Sequence, residues 1–380
     1  MTECAAQSEK KLGGIEVLRF LCAVAVIIHH YRFFFVSGVW TPQSHAPIEA
    51  FPFYPALAPF YWKGLAAVQL FWAISGFIFF WKYADAIHDR VVATRHFFVL
   101  RFSRLYPLHF LTLVIVIGLQ ALYLRDHSEN FIYHANDTRA FLLQLVMASN
   151  WNATCENSFN GPIWSVSAEV LIYGLFFLTV RLFRPGAVLC LMMVMAAFVV
   201  VASPLRTPLL NLSICAIYFF GGGLTYLGVK HVPTAHRAMT FWFAAASSVA
   251  IAAAMFPQGF SDFDVPPYLM MLLSSSLVVS FALIEDVFPI NLTRLARLGD
   301  LTYGSYLWHF PLQLAVVVII DRIGWGREIF LSPLPLVIWI GLTFALAAAS
   351  HRFLEMPTQN AIRRAFSPRV FSKAPSLAQP

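Results

Sequence analysis

Charge is what this chain has least of. Asp, Glu, Lys and Arg make up 12% of its 380 residues, against about 25% in an ordinary soluble domain. That is too little charge to solvate the surface of a water-soluble enzyme of this size, so that class is excluded, and intrinsic disorder with it. Cysteine is sparse as well. Cys4, Cys22, Cys155, Cys190 and Cys215 are scattered with no C-x-x-C pair, so neither a disulfide framework nor a metal site is expected. No internal repeat is visible. The first apolar run has no small-residue cleavage site; it carries Glu16 and Arg19 and continues into Tyr31-Arg32-Phe33-Phe34-Phe35, and so reads as a retained helix.

What the chain has in excess is apolar surface. Hydrophobic residues reach 59%, with 37 Phe against 13 Tyr and 10 Trp, and mean hydropathy is +0.69. This composition suits side chains packed against acyl chains, and the expected fold class is an all-α polytopic membrane protein in contact with a lipid bilayer. A spanning helix needs about 20 mostly apolar residues. Ten such stretches begin near Glu16, Gly64, Arg104, Pro162, Gly186, Pro208, Ala238, Pro266, Asp300 and Pro333. An even number puts both termini on one side. With the N-terminus cytoplasmic, eighteen of the 26 Lys and Arg fall on the inner side and seven on the outer side or outer helix ends, with Arg19 inside the first span. That bias supports the count and the orientation together. It also accounts for the net charge of +7 without a nucleic-acid partner.

The expected organisation is a cytoplasmic N-terminus (1–14), a membrane domain (15–357) and a cytoplasmic tail (358–380) that is disordered and too short for a further domain. Two long outer stretches, Thr41 to Phe60 and Arg125 to Pro162, interrupt the membrane domain; Phe141 to Ser149 in the second is too short to span and reads as a half-helix.

Ionisable side chains inside spans are costly, and each is a functional candidate. Arg19 and His30 are eleven positions apart, which leaves them about 20° past three full turns, on one face and about 16 Å apart along the axis. His29 points about 80° away from Arg19. Glu16, one turn before Arg19, can pair with it. Alternatively Arg19 snorkels to the headgroups and both histidines sit at the outer interface. Arg101 and Arg104, at i and i+3, present two guanidiniums to one region, a fork that suits phosphate oxygens; the positive-inside bias alone also explains them. Ser165, Glu169 and Tyr173 line one helical stripe, with a water-satisfied Glu at the helix end as the plain alternative. Ser305 and His309 share a face, which a packed helix contact would explain equally well. Glu355 reads as a local cap or pair.

Taken in order, Arg19-x10-His30, Phe71-Trp-Ala-Ile-Ser75-Gly76-Phe77, Arg101-x-x-Arg104, Trp164-Ser-x-Ser-x-Glu169-x-x-x-Tyr173, Tyr306-Leu-Trp-His309 and Glu355-x-Pro357 resemble the signature series of integral-membrane acyltransferase family three, which includes the O-antigen and exopolysaccharide O-acetyltransferases. The resemblance runs over residues 15 to 357. It implies ten or so spans and an acyl-coenzyme A donor on the cytoplasmic side, as co-substrate and with no other cofactor. It further implies transfer of an acyl group, commonly acetyl, to a hydroxyl on a carbohydrate or lipid-linked glycan. His30 is the matching candidate catalytic histidine, with Arg19, Arg101 and Arg104 as functional positions. A bacterial cytoplasmic (inner) membrane is the expected location.

The chemistry fits the residues. Acyl transfer to an alcohol needs a base for the hydroxyl proton and donors for the developing oxyanion. His30 supplies a base, Glu169 orients it if the fold brings the two together, and Arg101 and Arg104 hold phosphates at the inner mouth. The competing reading is a transporter or flippase for a polar or anionic substrate, since intramembrane Arg, His and Glu also mark transport pathways.

Overall fold

Each of the ten apolar stretches forms a helix in the computed structural model, which describes residues 12–36, 47–255 and 266–366. Cys4, Lys10, Lys11 and the rest of the expected N-terminal segment up to residue 11 lie outside the described residues, as do 37–46, which include the start of the first outer stretch, 256–265, and 367–380 of the expected tail. Among the described residues no strand occurs.

Helix α1 (Gly13–His30) runs on into a 3₁₀ turn, Tyr31–Phe35. A short outer helix α2 (Tyr54–Lys63) precedes α3 (Ala66–Phe79), which continues through a π turn, Phe80–Ala84, to His88. Helix α4 (Thr94–Tyr123) is followed by the eight-residue α5 (Thr138–Leu145), then by α6 (Ile163–Leu182), α7 (Ala187–Ala202) and α8 (Arg206–Lys230). The chain closes with α9 (Arg237–Met255), α10 (Pro267–Val287), α11 (Thr302–Arg322), α12 (Pro333–Ser350) and α13 (Met356–Phe366). Nine of these segments are long and apolar enough to cross a bilayer. The tenth, α7, has 16 residues, about 24 Å of helix against a hydrocarbon core of about 30 Å. Pro185-Gly186 before it and Ser203-Pro204 after it set those limits. The chain is an integral, all-α membrane protein.

Two local outcomes depart from expectation. Helix α4 begins at Thr94, ten residues before the apolar run, so Arg101 and Arg104 stand on a formed helix. Residues 358–366, assigned to a disordered tail, are helical. Here α12, a second π turn (His351–Glu355) and α13 are continuous, and Arg363 donates to Ser103 Oγ (3.2 Å) and to Gln359 Oε1 (2.9 Å), pinning α13 against α4.

Burial separates centre from periphery. The apolar part of α1 is 72% buried, whereas the segment containing α9 is 17% buried, so α1 is a core helix and α9 faces lipid. Helices α3 and α8 approach each other closely. A Cβ on Gly76 would stand 1.7 Å from the Phe219 carbonyl oxygen, and one on Gly222 would stand 1.9 Å from that of Ala73. Only glycine lets these two backbones touch, which is how helices associate where lipid removes the hydrophobic drive. Beside this crossing Phe79 stacks on Tyr173 (4.3 Å) and meets Phe176 and Phe219 edge-on. These rings lock α3, α6 and α8 together beside a cavity.

Candidate active site

The cavity lies between α1, α3, α4, α6 and α11 and holds about 880 Å³ of empty space, counting its open mouth. Arg19, Arg101, Arg104, Ser165, Glu169 and Tyr173 all line it, so six residues singled out by spacing come from three helices to one place. Arg19 pairs with Glu16 at 2.9 Å, as one helical turn allows. Glu16 in turn fits against Gly299, where a Cβ would lie 2.0 Å from its Oε2. Arg101 donates to the Tyr83 hydroxyl (2.8 Å) and lies over the Phe79 and Tyr83 rings, each 5.1 Å away. Arg104, which also lines the cavity, makes no hydrogen bond or ion pair with any described residue. A charge held in a protein interior without a partner awaits one from outside.

Deeper in, the Tyr173 hydroxyl donates to Glu169 Oε1 at 2.7 Å, one turn along the stripe. Ser165 Oγ and the Tyr306 hydroxyl are 2.6 Å apart, and Tyr306 also donates to the Pro162 carbonyl (2.9 Å). Tyr306 is thus shared between the cavity and α11. Its ring lies 5.8 Å from that of His309, and His309 lies 4.7 Å from His30.

The two histidines of α1 differ in what remains of their hydrogen-bonding capacity. His29 Nδ1 faces the Tyr61 carbonyl oxygen at 3.2 Å, and its Nε2 receives Arg32 Nη2 at 2.7 Å. A carbonyl only accepts and a guanidinium only donates, so both ring nitrogens are committed. His30 Nδ1 donates to the Val26 carbonyl at 2.8 Å, which fixes the proton on Nδ1 and leaves the lone pair on Nε2. No described residue hydrogen-bonds that Nε2. The backbone around it is held by Gln313, whose Nε2 donates to the His30 carbonyl at 2.9 Å. Both ring nitrogens of His309 are buried without a partner. The expected Glu169–His30 contact is not made: Glu169 belongs to the cavity and Val26 orients His30. Ser305 Oγ turns back to the Thr302 carbonyl (3.2 Å), and Glu355 accepts from Ser350 (3.2 Å), a local pairing of the kind expected for it.

The family model Acyl_transf_3, described as an acyltransferase domain, matches residues 12–352. The chain belongs to this acyltransferase family. It is also similar to "Acyltransferase MdmB" of Streptomyces mycarofaciens, with 27% identity over 179 residues, 46% of this chain and 40% of that relative. The chain therefore aligns with less than half the length of this relative. No solved structure matches.

Within the family match lie residues that spacing alone passed over. Trp72 and Ser75 from α3, and Thr302, Tyr303 and Tyr306 from α11, also line the cavity. Trp72 and Tyr306 stood inside motifs read for their pattern, and positions 302, 303 and 306 share a helix face at i, i+1 and i+4. That spacing was the signal available. Four cysteines, Cys22, Cys155, Cys190 and Cys215, are free thiols, and among the described residues no three His, Cys, Asp or Glu converge to hold a metal.

Proposed function

We propose that this protein is an acyl-coenzyme A-dependent O-acyltransferase of a bacterial cytoplasmic membrane, acting on a hydroxyl of a glycan or glycosylated acceptor. The observation that carries the reading is the order of groups along α1. Arg19 lines the cavity beside Arg101 and Arg104 of α4, and eleven residues further along α1 stands His30, outside the cavity lining and linked to it through Tyr306 and His309, with one free lone pair. The pantetheine arm of coenzyme A is about as long as four extended residues, about 14 Å, close to the roughly 16 Å of helix rise between Arg19 and His30. A donor held by its phosphates among Arg19, Arg101 and Arg104 therefore delivers its thioester to the neighbourhood of His30.

The acceptor oxygen attacks the thioester carbonyl carbon while its proton passes to His30 Nε2. The tetrahedral intermediate carries its negative charge on oxygen, where the unpaired His309 ring next to His30 supplies a donor. Collapse breaks the C–S bond, and the proton on His30 passes to the departing thiolate. Acetyl is the cargo favoured by the family resemblance. Support for the acceptor also comes from that resemblance, and support for a bacterial membrane comes from the Streptomyces relative. With both termini cytoplasmic, the arginine end opens to the cytoplasmic pool of donor.

The test is direct. Protein purified in detergent is given labelled acetyl-coenzyme A with a cell-envelope extract, and free coenzyme A and an acetylated product heavier by one acetyl mass are expected. If no donor is consumed, the transporter reading moves ahead.

A further inference from the structure

Next to the arginine cavity lies a second, smaller compartment with about 490 Å³ of empty space including its mouth. Its polar lining is Glu16, Arg19, Trp81, Lys82, Arg104 and Asp300. Arg19 and Arg104 line both compartments, whereas Trp81 and Lys82 line only the second and Arg101 only the first. Leu12, Ile15 and Glu16 bound the second compartment, so along α1 it lies on the far side of Arg19 from His30. The Lys82 ammonium stands 5.0 Å over the Trp81 ring and makes no ion pair or hydrogen bond with a described residue. Both side chains sit in the π turn Phe80–Ala84. The extra residue of such a turn rotates the side chains that follow it, and π turns recur at functional sites.

Resting on the acyl-coenzyme A reading above, we infer that this compartment is the 3′-phosphoadenosine subsite of the donor, with Lys82 on the 3′-phosphate and the Trp81 ring against adenine. Coenzyme A is linear in its chemistry: thioester, pantetheine, diphosphate, then ribose with its 3′-phosphate and adenine. The protein is linear in the same sense. His30 and His309 stand behind Tyr306, which lines the cavity; Arg19 and Arg104 follow at the junction, then Trp81 and Lys82. With the thioester at His30, the junction arginines meet the diphosphate, and the next compartment can only receive the nucleoside end. A ring against an aromatic base and an ammonium against a phosphate dianion are the contacts that end requires. Glu16, on the same wall, is held by Arg19 and so is neutralised toward an incoming anion.

The measurement is equilibrium binding of coenzyme A and of 3′-dephospho-coenzyme A to the full-length protein in detergent. Five forms are compared: wild type, Lys82→Ala, Lys82→Arg, Arg104→Ala and Trp81→Leu. A charge-assisted hydrogen bond to phosphate corresponds to about tenfold or more in affinity. Wild type should prefer coenzyme A over the dephospho form by about that factor. Lys82→Ala should bind coenzyme A about tenfold more weakly, bind the dephospho form as wild type does, and so lose the preference; Lys82→Arg should keep it. Arg104→Ala should weaken both ligands together. Trp81→Leu should weaken adenosine 3′,5′-bisphosphate, a probe lacking the pantetheine arm. Lys82 is exposed, so its variants insert, and unaltered dephospho-coenzyme A binding verifies their fold. A preference that survives Lys82→Ala, or equal weakening of both ligands by it, overturns the subsite and leaves the donor reading standing. Wild type that binds neither ligand overturns both.

Discussion

At the residue scale the reading turns on two adjacent histidines. His30→Ala should lower the transfer rate by about 10²- to 10⁴-fold, the usual contribution of a general base, while donor binding is retained. His29→Ala should keep most of its turnover, because both ring nitrogens of His29 serve Tyr61 and Arg32; its cost should appear as a lower thermal midpoint. The two single mutants, assayed for rate and for donor affinity, separate these roles, and an active His30→Ala beside a dead His29→Ala would reverse the assignment. The arginines divide similarly. Arg104→Ala should raise the KM for the donor with little loss of stability, since no described residue depends on it. Arg101→Ala should raise KM and also destabilise, because it forfeits the Tyr83 hydrogen bond and two ring contacts. Lys at either position should rescue only part of the KM, for want of the planar fork. Contacts within a turn or two were legible in the sequence: Arg19 with Glu16 and Glu169 with Tyr173 are i, i+3 and i, i+4 pairs. The packing of His309 on His30 was not, since 279 positions separate them and helix periodicity carries no information over that range.

At the scale of elements, the stretch Phe71-Trp-Ala-Ile-Ser75-Gly76-Phe77 was legible as a motif, but its physical cause was not. Gly76 faces a backbone, and its partner Gly222 lies more than 140 residues later in the chain, on α8. A valine at Gly76 must displace the Phe219 carbonyl, and backbone cannot yield as a flexible side chain does. Overpacking of a tight interior costs typically 1–3 kcal/mol, so Gly76→Val should lower the thermal midpoint in detergent markedly. Gly174→Ala in α6, where an added Cβ meets nothing within 4 Å, should leave it unchanged or raise it, by the roughly 1 kcal/mol helix advantage of Ala over Gly. Equal behaviour of the two variants would deny the close crossing. Helix α5 (Thr138–Leu145) overlaps the expected half-helix Phe141 to Ser149 only over 141–145, because the Asp137 side chain, accepting from the Ala140 N–H, starts the helix before the apolar run does. Helix α13 was not legible: its sequence is polar, and what makes it a helix is continuity with α12 and the Arg363 contact to Ser103, a residue 260 positions away.

At the scale of the molecule, ten apolar stretches and their order were readable from hydropathy, because in lipid every backbone group must be satisfied within its own helix. Which ends of those helices share a side follows from contacts the sequence does not display. Arg363 reaches Ser103, two residues from Arg101. Lys230 pairs with Asp85 at 3.6 Å, and Asp85 lies two residues past Tyr83, the hydrogen-bond partner of Arg101. Lys230, Arg363 and the arginine mouth thus occupy one face. Cys155 lies in the long stretch between α5 and α6, whose Ala153 bonds to Pro208 at the opposite end of α8, and so occupies the other face. The fold therefore links three positions into a single choice, and the basic-residue bias favours the proposed orientation, with the arginine mouth on the cytoplasmic side. A thiol reagent that cannot cross the bilayer, applied to intact cells or spheroplasts, should label Cys155. It should spare Lys230→Cys and Arg363→Cys when each is placed in a Cys4→Ser, Cys155→Ser background; the remaining cysteines, Cys22, Cys190 and Cys215, are buried and silent. Permeabilised cells should show the two engineered cysteines labelled. The inverse pattern would place both the arginine mouth and the donor outside, where no acyl-coenzyme A pool exists to charge the site. A mixed pattern, with Lys230→Cys and Arg363→Cys on different sides, would contradict the packing of α8 and α13 beside the mouth, whatever the orientation of the whole.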